Sequence, residues 1–190
     1  MAGGRFEGML SSARVLLAVL LPLLLFTASM NTPLVQAHPT GPGADAIHNW
    51  TTTAHTRAFV ESLFTEVALD NFGQSFANAL SDDLVWTVTG SSPISGRYEG
   101  KQVYVDKVLT PLRKVLVALP VPIVEHIFAD VDWAVVNWRS QGARGKNGAN
   151  YDMQYCWLMR VEGDKIVEVV GFYDGQKVAA VFAGTNVLGR

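Results

Sequence analysis

Cysteine is all but missing from this chain. Cys156 is the only one in 190 residues, so no internal disulfide can staple the fold, which must stand on its hydrophobic core. Within its apolar run that thiol reads as a small buried hydrophobe. Histidine is also scarce, with four scattered residues that give no metal-ligand spacing with one another or with Cys156. Charge of one sign is lacking too: 15 Lys and Arg stand against 17 Asp and Glu. No basic block is longer than 97–101 or 144–146, which excludes electrostatic capture of nucleic acid. The glycines of 142–148 join two strand-like runs and lead into no helix, so they make no phosphate-cradling loop.

A bilayer span needs ~20 apolar residues, and the apolar stretch 15–26 falls short of that. Arg5 and Arg14 precede it and the small-residue exit Val35-Gln36-Ala37 follows, the order of a removable secretory signal over 1–37. An uncleaved anchor is the alternative; Pro22 and the lack of a basic stop-transfer cluster stand against it. The expected destination is the secretory pathway or the exterior, with no stable membrane span after cleavage. Residues 38–52, rich in Gly, Pro and Thr, read as a flexible lead-in. Within it Asn49-Trp50-Thr51 has the acceptor pattern for N-glycosylation on a eukaryotic route. What remains, 53–190, has the length of a single domain.

Apolar spacing predicts a helix over 53–70 carrying Phe59, Leu63, Phe64 and Val67, with Thr51 to Thr53 as N-cap hydroxyls. A short helix follows over 72–80, capped by Asp70 or Asn71, and then a strand over 84–89. A third helix, 101–119, contains Pro111, which kinks or splits it. Beyond Pro120 and Pro122 the period changes to two. Runs at 123–128, 133–140, 151–161 and 165–173 read as strands joined by short turns, hence antiparallel neighbours. Helices grouped before such a sheet make an α+β plan, with a pocket between the layers.

The run 86–100, Trp-Thr-Val-Thr-Gly-Ser-Ser-Pro-Ile-Ser-Gly-Arg-Tyr-Glu-Gly, and the closing strand 163–174, Gly-Asp-Lys-Ile-Val-Glu-Val-Val-Gly-Phe-Tyr-Asp, resemble the SnoaL-like polyketide cyclase family of the nuclear-transport-factor-2-like (ketosteroid-isomerase-like) superfamily. The resemblance implies a cone-shaped α+β barrel, a curved antiparallel sheet wrapped around N-terminal helices, also described as cystatin-like. It further implies cofactor-free acid–base chemistry in a dry pocket and a homodimer. In isomerase relatives a basic Asp stands where this chain has Thr87. A donor stands near Trp157, and the Glu that often precedes the terminal aromatic-x-Asp is replaced by Gly171.

Alternation places Tyr151, Met153, Tyr155, Trp157 and Met159 on one face, and Val167, Val169, Gly171 and Tyr173 on another. Trp133, Val135, Asn137 and Arg139 form one possible inner face between them. The expected pocket residues are Thr87, Asn137, Tyr155, Trp157 and Tyr173. Aromatic walls suit a small hydrophobic metabolite. For acid or base the candidates are Asp174, which matches the terminal aromatic-x-Asp, and His126, an imidazole that alternates with Val124 and Phe128 and so could point inward. Asp152 and Glu125 read as surface residues. Two functions fit: a cofactor-free isomerase, cyclase or dehydratase of secondary metabolism, or a non-catalytic ligand-binding or dimerisation domain of the same fold.

Overall fold

The computed structural model describes residues 43–188; the expected signal over 1–37 lies outside them. The first helix, α1 (Ala44–Asp70), begins inside the stretch expected to be flexible lead-in. Ala44 and Ala46 favour helix, and Asp45 in the first turn suits the positive end of the helix dipole. Thr51 and Thr52 are therefore not caps. Their hydroxyls donate back to the Ile47 and His48 carbonyls at 3.0 Å, satisfying them without interrupting the helix. Asn49 sits exposed on this helix rather than in a loop.

Thr56, Val60, Leu63, Phe64 and Val67 form the buried stripe of α1. Asn71 ends the helix in the left-handed region and its N–H returns to the Val67 carbonyl, a C-cap geometry that Asn tolerates. The next helix, α2 (Gln74–Ala79), is held by the Asp70 carboxylate, which accepts from the Ser75 N–H at 2.7 Å and the Gly73 N–H at 3.0 Å. The Ser75 N–H above all holds that carboxyl below the usual range.

Strand β1 (Leu80–Val88) leads through a Ser-rich turn to β2 (Gly96–Glu99), a short polar strand in what reads as loop from sequence. A helical stretch follows, made of α3 (Lys101–Tyr104), a π-helical turn (Val105–Leu109) and α4 (Thr110–Val115). Pro111 has no N–H for the carbonyl four residues back, and the wide π turn just before it relaxes the ladder there. The helix stops at Val115, short of the expected 119, because Leu116 turns extended and bridges to Gly145. Four strands complete the sheet: β3 (Ile123–Asp130), β4 (Trp133–Arg139), β5 (Gln154–Glu162) and β6 (Lys165–Phe172), followed by α5 (Gly175–Phe182).

The six strands lie in the order β2-β1-β6-β5-β4-β3. Only β1 with β6 is parallel; the other neighbours are antiparallel. The sheet is curved but not closed, and its concave face meets α1, α2 and the helical stretch in one apolar core. α1 also clamps the β3–β4 turn. Thr56 Oγ1 donates to the Val131 carbonyl at 2.7 Å, and Thr53 Oγ1 accepts from its N–H at 2.8 Å. Those bonds hold a β-branched residue at φ 50°, where it is sterically disfavoured.

The face assignment of β4 is the reverse of the one the alternation suggested. Ala134, Val136, Trp138 and Ser140 are buried, while Trp133, Val135, Asn137 and Arg139 face outward. Both sets begin apolar, so period two alone does not orient them, and the polar ends of the second set choose water. In β6, Val169 and Gly171 point inward as expected. A register shift against β5 between Arg160 and Val161 turns Ile166 inward as well, as a bulge does.

Candidate functional site

Between the concave face and the helical stretch lies a narrow slot, partly open to solvent, whose free internal volume is only about 40 Å³. Its floor is the sheet: Trp138 from β4, Tyr155 and Trp157 from β5, and Tyr173 just past β6. Its wall is the helical stretch, through Tyr104, Val108, Leu109 and Leu112. Phe72, Ile94 and Tyr151 close the sides, and Leu119 with Pro120 stand at one end. No Asp, Glu, Lys, Arg or His is among these lining residues.

The rings brace one another. Trp86 stacks on Tyr104 with centroids 4.2 Å apart, and Trp157 meets Trp86 edge to face at 5.0 Å. Tyr155 meets Tyr173 edge to face at 5.8 Å. Gly171 gives Tyr173 its place, since a Cβ there would stand 2.5 Å from the phenol oxygen. That oxygen accepts from Trp86 Nε1 at 3.3 Å. Trp157 Nε1 also lies near it without closing a hydrogen bond. Burial is the main reason that the phenols of Tyr104, Tyr151, Tyr155 and Tyr173 are held well above the ordinary tyrosine range. They stay protonated near neutrality, so each keeps a proton it can donate. The lining thus offers donors and apolar area, and no side chain that takes up a proton at neutral pH.

Of the expected site residues, Tyr155, Trp157 and Tyr173 come together here. Thr87 does not. It lies on the outer side of β1, between the buried Trp86 and Val88. Asn137 is also on the outer face, donating to the Tyr155 carbonyl and accepting from Gln154 Nε2. Asp174 is the exposed N-cap of α5, its Oδ1 accepting from the N–H groups of Gln176 and Lys177 at 3.0 and 3.2 Å, and it is not among the lining residues. A carboxylate at a strand-to-helix junction is drawn to those open donors. His126 is exposed on the edge strand β3, its ring 6.1 Å from that of Phe128. Glu125 pairs with Arg139 at 3.1 Å, and Asp152 accepts from the Ala143 N–H at 2.7 Å.

Tyr104 and Trp138 are cavity residues that sequence reasoning missed. Tyr104 shares the four-residue spacing of Val108 and Leu112 and could have been found by it. Trp138 was hidden by the ambiguous parity of β4.

The profile of the SnoaL-like domain matches residues 56–169, more than half of the chain. The protein belongs to the SnoaL-like family. No curated protein matches it. Among solved structures, an NTF2-like protein from Burkholderia thailandensis is 16% identical with a TM-score of 0.57, the match covering 67% of this chain and 97% of that one. An NTF2-like protein of unknown function from Burkholderia pseudomallei is 13% identical with a TM-score of 0.58, covering 68% and 98%. A protein of unknown function with a cystatin-like fold from Xanthomonas campestris is 21% identical with a TM-score of 0.51, covering 67% and 97%. At these identities the likeness is one of fold. Any function of this SnoaL-like chain must be argued from its own cavity.

Proposed function

We propose that this SnoaL-like protein binds a small hydrophobic metabolite in the aromatic slot, as a binder rather than an acid–base enzyme. The observation that carries this reading is the lining, rich in Tyr and Trp and free of carboxylate, imidazole and amine. Asp174 and His126, the groups that would have served acid–base chemistry, lie outside it. Aromatic rings offer wide contact with little loss of side-chain freedom, and the few polar tips orient the guest.

A second reading keeps catalysis: a cofactor-free isomerisation, cyclisation or dehydration in secondary metabolism. It is favoured by the buried phenols, since a Tyr hydroxyl in a dry cavity can stabilise a developing oxyanion without a base. In either reading the protein works on the secretory route, as the order of residues in 1–37 suggests, and as a homodimer. The outer sheet face, where Phe128, Val135, Leu158 and Val170 form one cross-strand row, is the surface for pairing.

Titration with phenanthrene, followed by quenching of tryptophan fluorescence, tests the binding reading. Saturable quenching is expected in the wild type, with a loss of at least about tenfold in affinity in Leu112→Trp, which fills the slot. Equal affinity in a folded Leu112→Trp protein contradicts it.

A further inference from the structure

Two indole N–H groups among the lining residues close no hydrogen bond. Trp138 is 1% exposed and Trp157 4% exposed. Both line the slot, and neither indole Nε1 has a hydrogen-bond partner. Unpaired buried N–H groups are uncommon because their lost hydration is not replaced. For Trp157 the nearest oxygen is the Tyr173 hydroxyl, which lies close without closing a hydrogen bond; the two indoles themselves meet edge to face at 5.1 Å.

The rest of the lining has the same polarity. An indole N–H donates and cannot accept. Tyr173 Oη already accepts from Trp86, so its own proton remains to be given. The hydroxyls of Tyr104 and Tyr151 make no hydrogen bond among the described residues. No charged side chain lines the slot, so an ionic guest would lose its hydration with nothing to replace it. A guest bearing one neutral oxygen that only accepts meets donors from several sides.

We propose that Trp138 and Trp157 form the recognition site for such an oxygen, a carbonyl or ether at the polar tip of an otherwise apolar guest, and that their N–H groups decide which hydrophobic molecules the slot retains. This rests on the binding reading above. Both Nε1 atoms are closed to water, so the rings have to turn for a guest oxygen to reach them.

Three probes of one shape separate the possibilities: fluorene, 9-fluorenone and fluorene-9-carboxylate, titrated into the full folded protein by tryptophan quenching. Fluorenone is expected to bind about tenfold more tightly than fluorene, the effect of a net hydrogen bond or two, and the carboxylate more weakly than either. In Trp138→Phe and Trp157→Phe the ratio of fluorenone to fluorene affinity is expected to fall toward one. A readout that needs no variant is the carbonyl stretch of bound fluorenone, expected below its frequency in hexane. Equal binding of fluorene and fluorenone, or an unshifted carbonyl, overturns the recognition site while leaving the binding reading intact. Failure of all three probes to bind overturns both.

Discussion

Trp138 and Tyr155 lie face to face on neighbouring strands, ring centroids 3.7 Å apart and planes 4° from parallel, at a directly registered cross-strand pair. The stack ties β4 to β5 across the cavity floor, so the same contact that stabilises the sheet shapes the slot. Trp138→Ala is expected to destabilise the fold by about 3–5 kcal/mol, as large-to-small aromatic changes in a core do. Tyr155→Phe is expected to cost less than about 1 kcal/mol, because its hydroxyl meets only Ser140 Oγ, at 3.5 Å. Urea unfolding of both variants checks the contrast.

Alkaline pH acts on the same rings. Four of the five tyrosines are pushed up by burial, whereas unfolded tyrosine titrates near ~10. Above that pH the unfolded chain holds fewer protons than the folded one, so stability present in full below pH ~10 falls as pH rises. Absorbance at 295 nm is expected to show phenolate appearing together with loss of near-ultraviolet circular dichroism, in a single transition. Ionisation of those phenols in a folded protein near pH 10 would contradict it.

Asp174 caps α5 and His126 lies on the outer edge strand, so neither touches a guest in the slot. Asp174→Ala is expected to lower stability by about 1 kcal/mol through loss of the cap, and Asp174→Asn by less, since Asn still accepts from the same N–H groups. Phenanthrene affinity is expected to be unchanged in Asp174→Asn and in His126→Ala. A tenfold weaker affinity in either variant would return it to the site.

The proposed homodimer is open to a direct mass measurement. Phe128 and Phe172 are 64% and 46% exposed on the outer sheet face, with Leu158 in the central row between them. Light scattering on a sizing column is expected to give twice the chain mass for the wild type and the single-chain mass for Leu158→Arg, with equal melting temperatures. A wild-type monomer at micromolar concentration contradicts the pairing.

The late strands and the α+β plan were legible because period two marks each run from Ile123 onward and the β3–β4 and β5–β6 turns are short, although the β4–β5 connection spans 140–153. Tyr155, Trp157 and Tyr173 followed from the same alternation. Thr87 was expected from the place of the relatives' basic Asp, and the strand turns it outward between Trp86 and Val88; Asn137 did not follow because β4 is apolar on both faces at its start, and only packing against the helices orients it. The short polar β2 leaves no periodic trace, and it forms because β1 offers an edge to pair with. Asp174 rests on the resemblance to the terminal aromatic-x-Asp and His126 on chemical capability, and neither says which way the side chain points. Asp174 answers to the open N–H groups of α5, and His126 to the outer side of an edge strand.

The central claim is that the guest enters the interior slot. Its most direct measurement is the set of nuclear Overhauser contacts between bound 9-fluorenone and methyl-labelled protein. Contacts with the methyls of Val108, Leu109 and Leu112 are the expected result. Contacts confined to Val135, Leu158 and Val170 on the outer face would contradict the account.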